Sequence, residues 1–146
     1  MTMASVVRDV AILVARIGVG VVFIAHGWQK LVTFGVAGTA ASFQRMGVPA
    51  PTVSAWYASI VELLGGVALL VGLAVPVAGL LLVLDMLGAY LFVHAGHGIL
   101  VTEGGGELAI ALGAASLLLA AVGAGWFSLD RLIFSRRRRS AVPTAG

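Results

Sequence analysis

The chain has 146 residues, 60% hydrophobic and only 10% charged, with a mean hydropathy of +1.09. Ordinary globular domains are about half apolar and about a quarter charged, and a chain this short has little interior in which to hide apolar surface, so the composition excludes an ordinary water-soluble domain and points to lipid as the solvent. The lack of cysteine excludes a disulfide scaffold, a CxxC thiol centre and a cysteine-based metal site, and the basic pI rests largely on one local run, Arg136, Arg137, Arg138 and Arg139, which does not indicate nucleic acid.

Four apolar stretches follow in chain order, each near the roughly 20 residues that a helix needs to cross the hydrocarbon core. The first, 10–34, contains Arg16, His26 and Lys30; with these charges and no A-x-A-like site after it, it reads as a retained helix, not a signal peptide. The connection 35–52 holds Gly47, Pro49 and Pro51 as turn residues, and its first half, 36–46, is patterned as a short interfacial helix. The second span, 53–75, contains Glu62. Pro76 then forces a tight hairpin into the third, 77–96, which contains Asp85 and His94. The glycine-rich loop 98–106 leads to the fourth span, 108–125, which carries no charge. That loop resembles a phosphate cradle by composition only, since no lysine follows it.

The expected architecture is therefore all-α and integral to the membrane: an antiparallel bundle of four transmembrane helices in a single domain over 1–130. The tail 131–146 is basic and mostly disordered in this reading. Arg131 and the arginine run place it in the cytoplasm, because the loop 98–106 has no Lys or Arg. An even number of spans puts the N-terminus there too. The arginine run reads as a topology anchor or a contact with anionic lipid.

Charged groups at membrane depth are costly and usually face the bundle interior in pairs. Counting depth at about 1.5 Å per residue places Arg16 and Asp85 together in the cytoplasmic half, as a structural ion pair. The outer half collects His26, Lys30, Glu62, His94, His97, Glu103 and Glu107, so that each helix brings a titratable group to one level. At about 100° per residue, Arg16, His26 and Lys30 share a face with Gly20 and Gly27. Glu62 is flanked by Ala55, Ala58, Ser59, Gly65 and Gly66, small residues that let helices approach closely in lipid. On the third helix Tyr90, His94 and His97 share one side while Asp85 lies nearly opposite. His94 and His97, with His26 and Glu107, have the elements of a metal site, but interfacial polar roles are the expectation and no metal is assigned. Trp28, Trp56, Trp126 and Tyr57 suit interfacial aromatic belts or, alternatively, stacking against an aromatic ligand. Glu62 and Lys30 form a second candidate pair, structural or functional.

Taken in order, several motifs resemble the DoxX family of membrane proteins. His26-Gly27-Trp28-Gln29-Lys30-Leu31 resembles the family's HGxxKL stretch, and Gly47-Val48-Pro49-Ala50-Pro51 its G-x-P-x-P loop. Glu62-Leu63-Leu64-Gly65-Gly66 is similar to its E-L-x-G-G helix, and Arg16 with Gly20 to its R-x-x-x-G start. Ala89 with His94, and the end from Gly123 to Ser128 and Asp130, complete the match over about 11–130. Asp85 departs from the pattern, which is expected to be apolar there. The resemblance implies a four-span bacterial inner-membrane protein in a family linked to thiosulfate:quinone oxidoreductase, to quinone and electrophile stress and to oxidative-stress defence. Some members associate with a superoxide dismutase and a sulfurtransferase.

Three functional classes fit these residues. In the first, the chain is a redox-linked subunit in which Glu62, His26 and Lys30 act on a bound quinone or small oxidant, with His94, Glu107, Trp28, Tyr57 and Tyr90 lining its site. Quinone reduction takes up protons that carboxyl and imidazole groups can deliver. With no cysteine and no dinucleotide or haem motif, the chain has no intrinsic cofactor in this reading; a bound quinone or a partner oxidoreductase, or a superoxide dismutase, carries the electrons. In the second, it is a non-catalytic scaffold that anchors a soluble partner. In the third, it is a small-solute or lipid transporter, which with four short spans requires a homo-oligomer.

Overall fold

The structure, a computed structural model, describes residues 2–133, so the arginine run at 136–139 and the tail 140–146 lie outside the described residues. It is all-helical over that range. Helix α1, Met3–Trp28, runs on through a π-helical turn, Gln29–Thr33. The short helix α2, Gly35–Arg45, is followed by α3, Pro51–Val71. Helix α4, Val75–Ala89, also ends in a π-helical turn, Tyr90–His94, and a loop with a 3₁₀ turn leads to α5, Glu107–Val122. Three helices are long and apolar enough to cross a membrane, and α5 is shorter but equally apolar.

The four long helices run antiparallel. Helix α1 packs mainly on α3, and α4 on α5, with α3 against α4 between the two pairs. Lipid supplies no hydrophobic drive to hold helices together, so close backbone approach has to do so. A β-carbon on Gly20 would lie 2.8 Å from the Gly66 carbonyl oxygen, and one on Gly66 the same distance from that of Gly20. Across the other pair, a β-carbon on Gly79 would stand 2.8 Å from the Ser116 carbonyl oxygen. The side chains of Phe23, Leu69, Val75 and Leu82 are completely buried between the helices, while most Val and Leu side chains face outward. That inside-out distribution suits a lipid surround.

The spans differ in detail from the sequence reading. The first begins earlier, at Met3. The turn from α3 to α4 comes at Gly72, which adopts φ +75°, and Ala74, which adopts φ +47°, and Pro76 sits in the first turn of α4. Helix α5 stops at Val122 because Gly123 takes φ +79°. Residues 123–133 then fold back over the end of the bundle instead of extending the last span to 125. There Asp130 Oδ1 accepts from the Ala74 amide at 2.9 Å, the Asp130 amide donates to the Gly72 carbonyl at 3.1 Å, and Asp9 Oδ1 accepts from the Trp126 amide at 3.2 Å. A left-handed alanine is strained, and the Asp130 carboxylate holds it in place.

The expected Arg16–Asp85 pair does not form. Arg16 is only 1% exposed, and its guanidinium donates entirely to backbone carbonyls: Nε to Leu69 at 2.8 Å, Nη2 to Leu70 at 3.1 Å, and Nη1 to Ala124 at 2.5 Å and Phe127 at 2.9 Å. The two side chains lie at different depths. Arg16 is level with the C-terminal end of α3, whereas Asp85 lies ten residues beyond Val75, or about 15 Å along α4. The last carbonyls of a helix have no partners within it and carry its negative dipole end, so α3 offers acceptors to a cation that forms no ion pair. Gly72 has no side chain for the same reason: a β-carbon there would collide with the Arg16 guanidinium and lie 2.6 Å from Ser128 Cβ.

Replacing Arg16 by Leu strands these acceptors in the interior and is expected to cost about 3–5 kcal/mol, by analogy with breaking a buried charged network; Arg16→Lys recovers only part, because an ammonium cannot reproduce the planar fork. Thermal unfolding of the purified protein checks the loss. In a double-mutant cycle with Asp85→Asn the coupling should stay below about 0.5 kcal/mol, as for non-touching sites; strong coupling would restore the discarded pair.

Candidate functional site

At the opposite end of the bundle, about 21 Å along α1 from Arg16, a second set of charged groups gathers. Lys30 Nζ stands 2.6 Å from Glu62 Oε2, the one ion pair among the described residues. Glu62 is 3% exposed, and its position follows from local packing. A β-carbon on Gly27 would lie 2.8 Å from Leu63 Cα, so α1 and α3 touch at the level of Glu62. Lys30 then sits in the π-helical turn that follows. That turn is closed by the Phe34 amide bonding to the Gln29 carbonyl at 2.9 Å, five residues back. The carbonyl of Lys30 itself accepts from the hydroxyl of Thr39, which is buried on α2, at 3.0 Å. Helix α2 is thus pinned to the turn that carries Lys30.

The second π-helical turn explains the third span. On a regular helix Asp85 and His94 are nine residues and about 180° apart. A π-helical turn inserts one extra residue, which removes about 100° and leaves them on neighbouring faces. The turn is seen in the bond from the Ala95 amide to the Tyr90 carbonyl at 2.8 Å. His94 Nδ1 lies 2.7 Å from the Gly104 carbonyl oxygen. A carbonyl only accepts, so Nδ1 carries the proton and Nε2 remains the ring's acceptor when the imidazole is neutral.

Two cavities flank the Lys30–Glu62 pair and share Lys30, Glu62, Ala89 and His94 as walls. The smaller, about 230 Å³, lies among α1, α4 and α5; His26 joins the shared groups there, against Phe23, Met86 and Leu112. The larger, about 410 Å³, lies among α2, α3 and α4 and adds Tyr57, Asp85 and an apolar lining. The glycines of loop 98–106 make it a close lid on the smaller cavity: Gly105 lines it, and a β-carbon on Gly106 would lie 2.6 Å from the Tyr90 ring.

The structure therefore brings together His26, Lys30, Glu62 and His94. Tyr57 joins them in the larger cavity, with its hydroxyl donating to the Leu81 carbonyl at 3.0 Å. Tyr90 is partly buried and packs on the apolar core. Glu107 begins α5 and Trp28 is exposed at the end of α1, and neither lines these two cavities. Among the described residues no three His, Asp or Glu side chains converge as metal ligands. Two participants escaped the sequence reading. Thr39 carries no signal beyond its place in an amphipathic helix, and Asp85, expected beside Arg16, lines the larger cavity instead.

Breaking the buried pair from one side, by Lys30→Met or Glu62→Leu alone, is expected to cost about 3–5 kcal/mol. The double variant Lys30→Met/Glu62→Leu, which removes both charges, should regain most of that loss in thermal unfolding. A double variant no better than the worse single would show that the two side chains do not depend on each other.

Comparison with known proteins gives the family. The DoxX family model matches residues 11–95, a stretch that includes Arg16, Lys30, Glu62 and His94. "Putative oxidoreductase CatD" of Bacillus subtilis is 29% identical over 92% of this chain and 95% of its own length. "Inner membrane protein YqjF" of Escherichia coli is 35% identical over 86% of this chain and 94% of its own length. "Uncharacterized membrane protein Rv3486" of Mycobacterium tuberculosis is 37% identical over 54% of this chain and 48% of its own. No solved structure matches. With its apolar helices and a family match over more than half its length, the chain is a multi-pass membrane protein that belongs to the DoxX family.

Proposed function

We propose that the chain is a redox-linked inner-membrane subunit that binds a quinone or small oxidant in the smaller cavity. One observation carries this reading: His26, Lys30, Glu62 and His94 converge on a cavity whose other walls are largely apolar. Ligand pockets commonly combine an apolar lining with a few placed polar groups. At about 230 Å³ this one is smaller than drug-sized sites of about 300–1,000 Å³, and it suits a single ring.

A quinone oxygen needs a hydrogen-bond donor, and Lys30 or His26 supplies it. Conversion of a quinone to a quinol takes two electrons and two protons. Glu62 and the imidazoles are placed to relay the protons. The electrons come from a partner oxidoreductase; a redox role as such is in keeping with the relative named "Putative oxidoreductase CatD". By the positive-inside argument both termini face the cytoplasm and the cavity lies in the outer half of the bundle. The 2.6 Å Lys30–Glu62 contact also favours a second reading, in which the pair serves only assembly and the chain is a scaffold.

Titration of the purified protein with short-tailed ubiquinone and with duroquinone, both of one ring, separates the two. Saturable quenching of tryptophan fluorescence and a raised melting temperature are expected, weakened at least about tenfold, the equivalent of about 1.4 kcal/mol, in His26→Ala. Unchanged fluorescence and melting with both quinones would leave the scaffold reading.

A further inference from the structure

Asp85 has no part in the chemistry above. It is 8% exposed, midway along the apolar stretch Val75–His94, and it lines the larger cavity. Its Oδ2 atom is buried with no hydrogen-bond partner among the described residues. An ionised carboxylate accepts up to about four hydrogen bonds, and leaving one bare at membrane depth is among the costliest arrangements a protein can hold. The donors nearby do not relieve it. Of the two hydroxyls on the cavity wall, Tyr57 donates to the Leu81 carbonyl at 3.0 Å and Ser54 to the Pro49 carbonyl at 2.6 Å. His94 Nδ1 is spent on Gly104. Lys30 turns its ammonium to Glu62, and Glu62, itself a carboxyl, stands within hydrogen-bond reach of Asp85, so that it offers Asp85 a bond only through a shared proton.

The wall thus sets two carboxyls against one ammonium. A proton shared between the two carboxyls completes it in one way, and a further positive charge that carries N–H donors completes it in another. The rest of the lining fits the body of such a molecule: Phe43, Tyr57 and Phe92 offer aromatic faces, which attract cations, beside Val53 and Leu84. Phe92, Leu84 and Val53 are also exposed on the outer surface of the bundle. In a bilayer that surface faces lipid, so a ligand with an apolar body has a lateral way in.

We propose that the cavity among α2, α3 and α4 binds a lipophilic primary amine in its ammonium form, with an N–H donated to Asp85 Oδ2 and the apolar body against Phe43, Tyr57 and Phe92. This site is separate from the quinone cavity and shares only its dividing wall. Asp85 is the residue that selects a cation over a neutral molecule of the same shape.

The test uses the full chain, purified in detergent, and two probes of one skeleton: 2-phenylethylamine and 2-phenylethanol. Isothermal titration should show saturable amine binding at least about tenfold tighter than that of the alcohol. Asp85→Asn, of the same shape, should abolish that preference, and Asp85→Glu should keep part of it. If Asp85→Asn fails to fold, the wild-type comparison of amine with alcohol and the Asp85→Glu variant still decide. Equal binding of the two probes, or no binding of either, overturns the proposal and indicates that Asp85 and Glu62 share a proton between themselves. A preference that persists in Asp85→Asn overturns it as well. His26 lines only the other cavity, so amine binding should survive His26→Ala whether or not quinone binding exists.

Discussion

The ion pair between Lys30 and Glu62 sets terms that the surrounding structure has to meet. Charges inside a thin bundle, surrounded by lipid, find no water to solvate them, and their attraction offsets the desolvation only at close range. Bringing Lys30 to 2.6 Å from Glu62 requires α1 and α3 to touch, which Gly27 permits. Lys30 lies on the same face as Gly27, at the start of the π-helical turn that leads to α2. The carbonyl of Lys30 is taken up by Thr39, and this gives α2 its place along the bundle. A glycine and a buried threonine in separate parts of the sequence therefore serve one contact.

At the other end the same cost is met in a different way. Arg16 forms no ion pair among the described residues, and the nearby Asp130 carboxylate bonds to the Ala74 amide instead. Arg16 itself draws on carbonyls that helix geometry leaves unpaired at the end of α3, and on two more from the segment after α5. One guanidinium thereby joins α1, the α3–α4 turn and the chain beyond the last span. Glycine at 72 and the carboxylate of Asp130 belong to the same junction. The Arg16 end is closed by bonds to backbone and leaves its cation fully committed. The Lys30 end is closed by a side-chain pair with a cavity on either side. Only the second leaves charged groups in contact with space that a ligand can enter.

Most of the architecture was legible in the sequence, because in lipid a run of apolar residues near the length of a span has few alternatives to a helix. The small residues around Glu62 and at Gly20 and Gly27 likewise marked the faces that pack. What was not legible depended on departures from regular geometry. The helical angle separated Asp85 from His94 because 3.6 residues per turn were assumed throughout, and no residue in Tyr90–His94 announces a wider turn. Arg16 was assigned to a carboxylate because backbone acceptors at a helix end leave no trace in side-chain patterns. The fourth span was drawn to 125 since Ala124 and Gly125 are apolar enough to continue it, whereas Gly123 in a conformation closed to helices stops it.

The correction to Asp85 alters the meaning of the charge pattern more than any other. Paired with Arg16, it would have been one half of a neutral structural unit, and every charge at membrane depth would have had its match. Once Arg16 is satisfied by carbonyls, the balance shifts to the other end, where Glu62 and Asp85 face a single Lys30. A bundle that needed charge only for assembly would gain nothing from the extra carboxyl, since an apolar side chain of similar volume at 85 would pack without a desolvation cost. The surplus is confined to one side of the Lys30–Glu62 wall. Asp85 lines the larger cavity alone, and His26 the smaller one alone. The two cavities therefore differ in electrostatic character although they share a partition: to the common Lys30, Glu62 and His94 one adds the His26 imidazole and the other the Asp85 carboxyl. A molecule recognised through its oxygen atoms and one recognised through its N–H groups would accordingly favour opposite sides of the same ion pair.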